Sequence, residues 1–352
     1  MPDITGFTEF VNNTEIEHGQ HIISELLDIV IESNHLKMKI NEIEGDAILF
    51  YKMEEIPSYE DLVKLAVTTF TNFHLHLKKY EHDRICDCGA CSGASDLSLK
   101  MIVHTGELGF TTVNKQKKLY GKDLIIVHKL LKNDVKLSEY ILFSDDVVRL
   151  MRDSENNLNE LQKGASDYDK IGKVNYEYLS LTPYLETIDF TATLPVLTKV
   201  SNPSVQEIYI DKPTKEVFEL LANLKHRTEW NEGLDDLLYN KDQINQIGVK
   251  HQCVINDKLI DFETIKSDLK DGEVGFGEKL LSTPPGIKSA AIYYRLSKEL
   301  NGTKLVHELH LTPIPILGWP IKLIFSKIFS KNTTKVLSAF KTFCENKNIS
   351  AT

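Results

Sequence analysis

Apolar and polar positions along the first third of the chain predict two helices separated by a hairpin. Apolar residues recur every three to four positions over residues 22–31, which predicts a helix with one broad apolar face. Residues 36–51 alternate on both sides of a turn-forming tripeptide at 44–46, so they predict a β-hairpin. Ser58 and Asp61 form a capping-box pattern, and a second amphipathic helix is expected after them.

The pattern continues with short strands and helices. It predicts two strands over residues 97–113, a helix after Gly121, a strand over residues 138–144 and a helix that begins at Asp145. Strands and helices in this order favour a mixed sheet with helices on one face, an α+β domain.

A change of pattern then predicts a domain boundary. Residues 183–203 contain three prolines and no helical period. A chain of 352 residues is long enough for two domains, so we expect a first domain over residues 1–190, a linker over 191–202 and a second domain over 203–352. The second domain reads as a strand, a helix opened by Pro213, alternating strands and a long C-terminal helix.

Composition and charge exclude several classes of protein for this chain. With 41% hydrophobic and 26% charged residues, the chain has the composition of a globular protein, and it contains no apolar run of the roughly 18 residues that a membrane span needs. A net charge of −10 argues against nucleic acid as a partner. The first residues lack the pattern of a signal peptide, and five cysteines do not form an even disulfide framework. We therefore expect a cytoplasmic protein.

Two aspartates are candidates for a metal site. Asp3 lies in the first predicted strand and Asp46 at the hairpin turn. Carboxylates delivered from neighbouring strands bind Mg²⁺ or Mn²⁺ while leaving room for substrate phosphates. The residue types alone also allow a simpler interpretation, in which Asp3 caps the following segment and Asp46 is an ordinary turn residue.

The amino-acid sequence around these aspartates resembles that of a known family. The stretches PDITGFTEF and EGDAILF resemble the two metal-aspartate motifs of the class III nucleotide cyclases. The resemblance covers residues 1–190 and implies a ferredoxin-like, mixed-sheet cyclase-type domain. It also implies that Asp3 and Asp46 bind the metals with help from the Ile4 carbonyl. Members of the family have a strand before the first aspartate, so we expect the first strand to be clipped.

The same resemblance implies a site for a nucleoside triphosphate. At some positions of this site the residue differs from the one that is typical of the family. Glu42 falls on the purine-selecting position, where glutamate accompanies guanine in the family, although it could equally be a solvent-facing strand residue. Lys118 falls on the second purine position. Ile125 replaces the family's asparagine and Lys129 its arginine, and lysine lacks arginine's bidentate fork. We expect weak or no cyclase activity; the alternative is an active, guanylate-preferring cyclase.

A dense group of cysteines predicts a second metal site. The pattern C-x-C-x2-C is typical of thiolate ligation of Zn²⁺, and it comprises Cys86, Cys88 and Cys91. His82 is the candidate fourth ligand, and His74 and His76 lie on the preceding helix. Redox or regulatory thiols, and unpaired loop cysteines, are the alternatives.

The second domain resembles the START-like helix-grip superfamily, which includes polyketide cyclases and lipid-transfer domains. The order of elements over residues 203–348 carries the resemblance. It implies a curved antiparallel sheet around a long C-terminal helix, with a cavity for a small apolar ligand or a lipid. The candidate lining residues are Trp230, His251, Tyr294, His307 and His310. A filled core is the alternative, and we expect residues 312–325 to pack in the core rather than touch a membrane.

Taken together, these predictions indicate that the protein has a regulatory function in signalling. Because cyclases of this family build each site from two protomers, we expect a homodimer through residues 1–190. A third hypothesis makes the second domain a lipid or polyketide carrier and the first domain a scaffold.

Overall fold

The computed structural model describes residues 1–53, 56–86, 88–154, 161–188, 202–241, 243–315 and 318–347. The chain divides into two compact units. The first unit consists of Met1–Glu81 with Ser92–Thr191, and the second of His82–Cys91 with Ala192–Thr352. The predicted linker lies outside the described residues except for Asn202.

A mixed β-sheet forms the framework of the first unit. The strands of this unit are β1 (Pro2–Thr5), β2 (Lys39–Glu44), β3 (Ala47–Tyr51), β4 (Ser98–Val103), β5 (Gly109–Val113), β6 (Gln116–Tyr120), β7 (Tyr140–Ser144), β8 (Gln162–Tyr168) and β9 (Gly172–Ser180). Seven of them form one sheet in the order β2-β3-β1-β4-β7-β9-β8, and β5 pairs with β6 in a separate hairpin. Within the large sheet β4 and β7 are parallel neighbours, so their carboxyl ends meet at one edge.

The helices of the first unit follow the apolar periodicity. They are α1 (Phe7–Asn13), α2 (Ile16–Glu32), α3 (Tyr59–His82), α5 (Lys122–Leu130) and α6 (Asp145–Ser154). The short helix α4 (Gly89–Gly93) contains Cys91, and its first three residues belong to the second unit. The N–H of Asp61 donates to Oγ of Ser58 at 3.1 Å, which confirms the serine half of the predicted capping box in front of α3. On α2 the apolar stripe buries Ile22, Leu26 and Val30.

The α+β class is confirmed, whereas three strands are absent from the sequence-based prediction. Strand β6 and the β8–β9 hairpin are rich in polar residues, as the stretches QKKLY and QKGASDY show. Strands of this kind are stabilised by pairing with a neighbouring strand and do not need an alternating apolar face. The alternation that identifies a strand from the sequence is therefore weak in them. The ferredoxin-like, cyclase-type description of this unit stays a prediction.

The second unit has a helix-grip arrangement. Its strands are β10 (Ser204–Ile210), β11 (Asp236–Leu238), β12 (Lys250–Ile255), β13 (Lys258–Ile265), β14 (Glu273–Leu280), β15 (Ile287–Glu299) and β16 (Gly302–Pro313). They form an antiparallel sheet in the order β10-β16-β15-β14-β13-β12-β11. The helices are α7 (Thr214–Ala222), α8 (Arg227–Trp230) and α9 (Gly318–Asn346), and α9 packs on β10, β15 and β16. This topology confirms the helix-grip prediction.

The two ends of α9 differ in burial. Leu337, Phe340 and Cys344 in its C-terminal half are buried, whereas Leu323 and Ile324 are each 59% exposed. The prediction that residues 312–325 pack in the core is therefore wrong for Leu323 and Ile324. A helical period identifies an apolar face, but the period alone does not show which turns of the helix have a sheet to cover.

Candidate functional sites

The turn between β2 and β3 brings Asp46 next to Asp3. The N–H of Ile4 donates to the backbone oxygen of Asp46 at 3.1 Å, and Asp3 pairs with Ala47 across the strands. Burial, followed by the nearby charge of Asp3, raises the pKa of Asp46. The two carboxylates therefore lie close enough for their charges to interact, and their assignment to Mg²⁺ or Mn²⁺ stays a prediction.

A lysine that the sequence analysis does not single out completes this cluster. Lys100 lies opposite Asp3 in the β1–β4 register, and its Nζ is 3.0 Å from Oδ2 of Asp3. Both side chains are largely buried, at 18% and 12% exposure. The ammonium group already neutralises the carboxylate, so a divalent cation at Asp3 would compete with it.

The predicted nucleotide contacts lie on three separate elements of the first unit. Glu42 on β2 is 3.5 Å from Nε2 of His128 on α5, and Glu44 is 3.7 Å from Nδ1 of the same ring. Lys118 on β6 and Lys129 on α5 are both exposed. Glu42 therefore lies beside an imidazole of the same unit, and the roles assigned to Glu42, Lys118 and Lys129 stay predictions.

The cysteines of the C-x-C-x2-C pattern converge. The N–H of Cys88 donates to Sγ of Cys86, and the N–H of Cys91 donates to Sγ of Cys88, each at 3.4 Å. The three sulfur atoms lie within 4.8 Å of one another and all three residues are buried. Hydrogen bonds with the neighbouring thiols, and then burial, raise the pKa of Cys91 in this cluster. Three soft ligands at this spacing fit a thiophilic cation such as Zn²⁺. The assignment of His82 as a fourth ligand stays a prediction.

A buried ion pair lies in the second unit. The guanidinium of Arg227 on α8 donates two hydrogen bonds to the carboxylate of Glu278 on β14, at 2.6 and 3.1 Å. Their side chains are 5% and 1% exposed. Burial alone would raise the pKa of Glu278, but the charge of Arg227 and its hydrogen bonds outweigh burial, and the pKa is lowered. Both groups are therefore charged, and neither is identified by the sequence analysis.

Three of the predicted ligand-cavity residues share a face of the sheet with Glu278. The strand register places His251, Tyr294 and His307 on that face. Burial lowers the pKa of His251, and it lowers the pKa of His307 to about 4, so both imidazoles are neutral near pH 7.

His310 does not join this group. It lies three residues after His307 on the same strand, and side chains an odd number of residues apart point to opposite faces. On the other face its Nε2 is 3.0 Å from Oε2 of Glu308. The prediction that placed His310 in the same cavity as His307 is therefore corrected.

Several buried nitrogen atoms near the ion pair have no hydrogen-bond partner among the described residues. They are Nε of Arg227, Nε1 of Trp230 and both ring nitrogens of His251. Nε2 of His251 is 3.7 Å from Oε1 of Glu278, which is too far for a hydrogen bond. Trp230 packs against Phe340 of α9 at 4.8 Å between ring centroids and lines a cleft of about 530 Å³ between α8 and α9.

Comparisons with known proteins place the chain in a family without assigning it an activity. A family model described as "Protein of unknown function (DUF2652)" matches residues 23–140. The uncharacterized protein Rv2561/Rv2562 of Mycobacterium tuberculosis is 30% identical over 162 residues, which cover 45% of this chain and 73% of that protein. The chain therefore belongs to the same family as Rv2561/Rv2562.

Solved structures similar to this chain have low scores. The protein TTHA0849 from Thermus thermophilus is 16% identical, with 41% of this chain and 97% of that chain covered and a TM-score of 0.33. The Aha1 dimer from Colwellia psychrerythraea is 14% identical, with 41% and 97% covered and a TM-score of 0.32. Ara h 8.0201 is 7% identical, with 42% and 99% covered and a TM-score of 0.34. The helix-grip assignment therefore rests on the strand order and on α9.

In the part of the chain that the structure describes, no helix is long and apolar enough to cross a membrane.

Proposed function

We propose that this chain is a regulatory binding protein. Its first unit is a nucleotide-cyclase-like domain with little or no cyclase activity, and its second unit binds a small, mostly apolar ligand. The observation that carries the ligand-binding half is the set of buried donors around Arg227 and Trp230 that no described residue satisfies.

The unsatisfied donors indicate the chemistry of the ligand. Nε of Arg227 and Nε1 of Trp230 donate hydrogen bonds and do not accept them, so their partner must carry an acceptor oxygen. A buried donor without a partner costs about 1–3 kcal/mol, so a ligand oxygen or an ordered water at this position stabilises the fold. The rings of Phe276, Tyr294 and Phe340 pack around this region, and they favour an apolar body. The ligand class is therefore a compact apolar molecule with an acceptor group.

A fluorescence titration tests this half of the proposal. The probe 8-anilinonaphthalene-1-sulfonate combines an apolar body with an acceptor group, and we expect saturable binding to the full chain. Trp230→Phe keeps an aromatic ring but removes the donor, and it should weaken binding about 5- to 10-fold, the effect of one buried hydrogen bond. Tyr209→Phe, on β10 of the same unit, is the matched control and should bind like the unmodified chain. Equal affinity in Trp230→Phe, or no saturable binding, would reject the proposal.

The topology and charges of the first unit support a cyclase-like domain with reduced activity. Strands and helices from β1 to β4 follow the order β-α-β-β-α-β, and the strands lie side by side as β2-β3-β1-β4 with antiparallel neighbours. Against catalysis, Lys100 neutralises Asp3, and Ile125 and Lys129 stand where the family has asparagine and arginine.

A product assay separates the three hypotheses for this unit. The chain is incubated with GTP or ATP and Mn²⁺, and cyclic nucleotide and bound nucleotide are both measured. Binding without product supports the proposal. Product that disappears in Asp46→Ala would instead show an active cyclase, with Glu42 accounting for a preference for GTP. Neither binding nor product would favour a scaffold joined to a lipid or polyketide carrier.

A second function, Zn²⁺ binding, is favoured by the convergence of Cys86, Cys88 and Cys91. Bound zinc in such a cluster stabilises the fold, because metal ligation holds the folded form. The histidine to test as fourth ligand is His82, since His74 and His76 already pair with Glu139 and Glu25.

A further inference from the structure

The first unit contains a cavity near the carboxyl ends of β4 and β7, the parallel pair of its sheet. Its volume is about 200 Å³, and its wall is mostly aliphatic and methionine side chains from β3, β4, α2, α3 and α5. His104, Thr105 and Asp123 contribute polar groups to the same wall. Ligands of open α/β sheets bind in the crevice outside the carboxyl ends of parallel strands, and this cavity has the corresponding position.

One side chain and one backbone N–H group hold the Asp123 carboxylate at the wall, and a serine contacts that side chain from its other end. Nε2 of His104 is 3.1 Å from Oδ1 of Asp123, and the N–H of Glu107 donates to Oδ2 at 2.9 Å. Nδ1 of His104 is 2.7 Å from Oγ of Ser144. An ionised carboxylate only accepts, so Nε2 carries a proton, and in a neutral imidazole Nδ1 then accepts from the serine hydroxyl. This chain of hydrogen bonds sets both the tautomer of His104 and the position of Asp123.

Gly106 also contributes to this arrangement. A Cβ atom on residue 106 would lie 2.1 Å from Cγ of Asp123, so the carboxylate packs directly on the glycine backbone. Any larger residue at this position would force Asp123 away from the cavity wall.

The order of groups resembles a Ser-His-Asp triad, but burial assigns Ser144 a different role. Ser144 is 1% exposed, and the cavity wall includes His104 and Asp123 but not Ser144. A substrate in the cavity would not reach the hydroxyl oxygen. Ser144 is therefore a positioning residue. The His104 side chain is 4% exposed and that of Asp123 is 22% exposed, so the carboxylate is the more accessible polar group and His104 positions it.

We infer that this cavity binds a small apolar molecule whose hydrogen-bond donor, a protonated amine foremost, contacts the Asp123 carboxylate. Each oxygen of an ionised carboxylate accepts about two hydrogen bonds, and His104 and Glu107 use one on each oxygen. The Asp123 side chain is 22% exposed, so its remaining acceptor sites are accessible. At about 200 Å³ the cavity is smaller than the roughly 300–1,000 Å³ of sites for drug-sized ligands, which indicates a ligand of about one ring.

Three probes with the same apolar body test the inference. Calorimetric titrations use cyclohexylamine, cyclohexanol and cyclohexanecarboxylate at pH 7.5. The expected order of affinity is amine, then alcohol, then carboxylate, with at least tenfold between the first and the last. Leu108→Trp, which fills the cavity from its wall, should abolish binding of the amine and the alcohol alike. Tighter binding of the carboxylate would place the anchor on Lys52, which also lines the cavity, and would overturn the inference.

Substitutions of Asp123 and of His104, which holds its carboxylate, show whether the amine binds through the carboxylate or only through apolar packing. Asp123→Asn keeps the shape and removes the charge, so the amine should lose about tenfold in affinity and the alcohol less. His104→Gln should also lower the ratio of amine to alcohol affinity, because the carboxylate is no longer held in place. Asp167→Asn, an exposed residue of the same unit, is the control and should change neither affinity. Unchanged amine binding in Asp123→Asn would refute the assignment. Trp230→Phe in the other unit should leave these titrations unaltered.

Discussion

The ammonium nitrogen of Lys100 lies 3.0 Å from a carboxylate oxygen of Asp3, across the β1–β4 pair of the first sheet. This contact places a fixed positive charge beside one of the two aspartates assigned to a catalytic metal. The cation stabilises the carboxylate and competes with any divalent ion for it.

Removing this ammonium group should strengthen metal binding. In Lys100→Met the methylene packing is retained, while Asp3 and Asp46 lose their cation and repel each other more strongly. We expect affinity for Mn²⁺, measured by titration calorimetry, to rise about tenfold, equivalent to roughly 1.4 kcal/mol. Lys163→Met, an exposed residue on β8, should leave the affinity unchanged. A decrease, or no change, in Lys100→Met would show that the pair is not a metal site.

The cysteine cluster predicts a stoichiometric metal. Chain purified under reducing conditions should contain about one Zn²⁺ per molecule, and Cys88→Ser should lower both the metal content and the melting temperature, since bound metal stabilises only the folded form. Elemental analysis and calorimetry measure the two quantities. Cys253→Ser, a buried thiol outside the cluster, should retain the metal. Metal-free protein from a fresh, reduced preparation would contradict the prediction.

The buried histidine on β16 predicts a loss of stability in mild acid. Burial lowers the pKa of His307 to about 4, whereas an unfolded histidine has a pKa near 6.5. Between these values the unfolded chain binds more protons, so the free energy of unfolding falls as the pH falls from about 6.5 towards 4. The contribution of His307 at pH 5 is roughly 2 kcal/mol relative to pH 7.5.

Urea denaturation at pH 5 and at pH 7.5 measures this effect. In His307→Gln the difference between the two free energies should be smaller by roughly 2 kcal/mol. His35→Gln, at an exposed position, should retain the full difference. If His307→Gln also retained it, another group would be responsible for the acid sensitivity.

Assembly is a further prediction for the first unit. We expect a homodimer through residues 1–190, because the resembled family completes each site from two protomers and because apolar side chains such as Ile43, Phe110 and Ile125 are 40–54% exposed. Light scattering at micromolar concentration should show twice the chain mass of 40.1 kDa. A monomer that Mn²⁺ and GTP leave unchanged would rule out both the dimer and any regulation through it.

Much of the local structure was accessible from the sequence. The capping box at Ser58 and Asp61, the turn at residues 44–46 and the apolar stripe of α2 depend on neighbours within a few residues, where side-chain period and turn chemistry act directly. The convergence of Cys86, Cys88 and Cys91 was predictable for the same reason. The residue pattern alone did not predict that Asp3 and Asp46 lie near each other; that prediction relied on the motifs of a resembled family.

The pairs that decide the chemistry were not accessible in that way. Lys100 reaches Asp3 through the register of two strands far apart in sequence, and Arg227 reaches Glu278 across 51 positions. His104 contacts Asp123 and Ser144 only because β4 and β7 are parallel neighbours and α5 begins beside their ends. Hydrophobic period, turn residues and caps act over a few positions and so can be read along the chain. The partner of a buried charge depends on which strands pair and in which register, and packing of the whole sheet settles both.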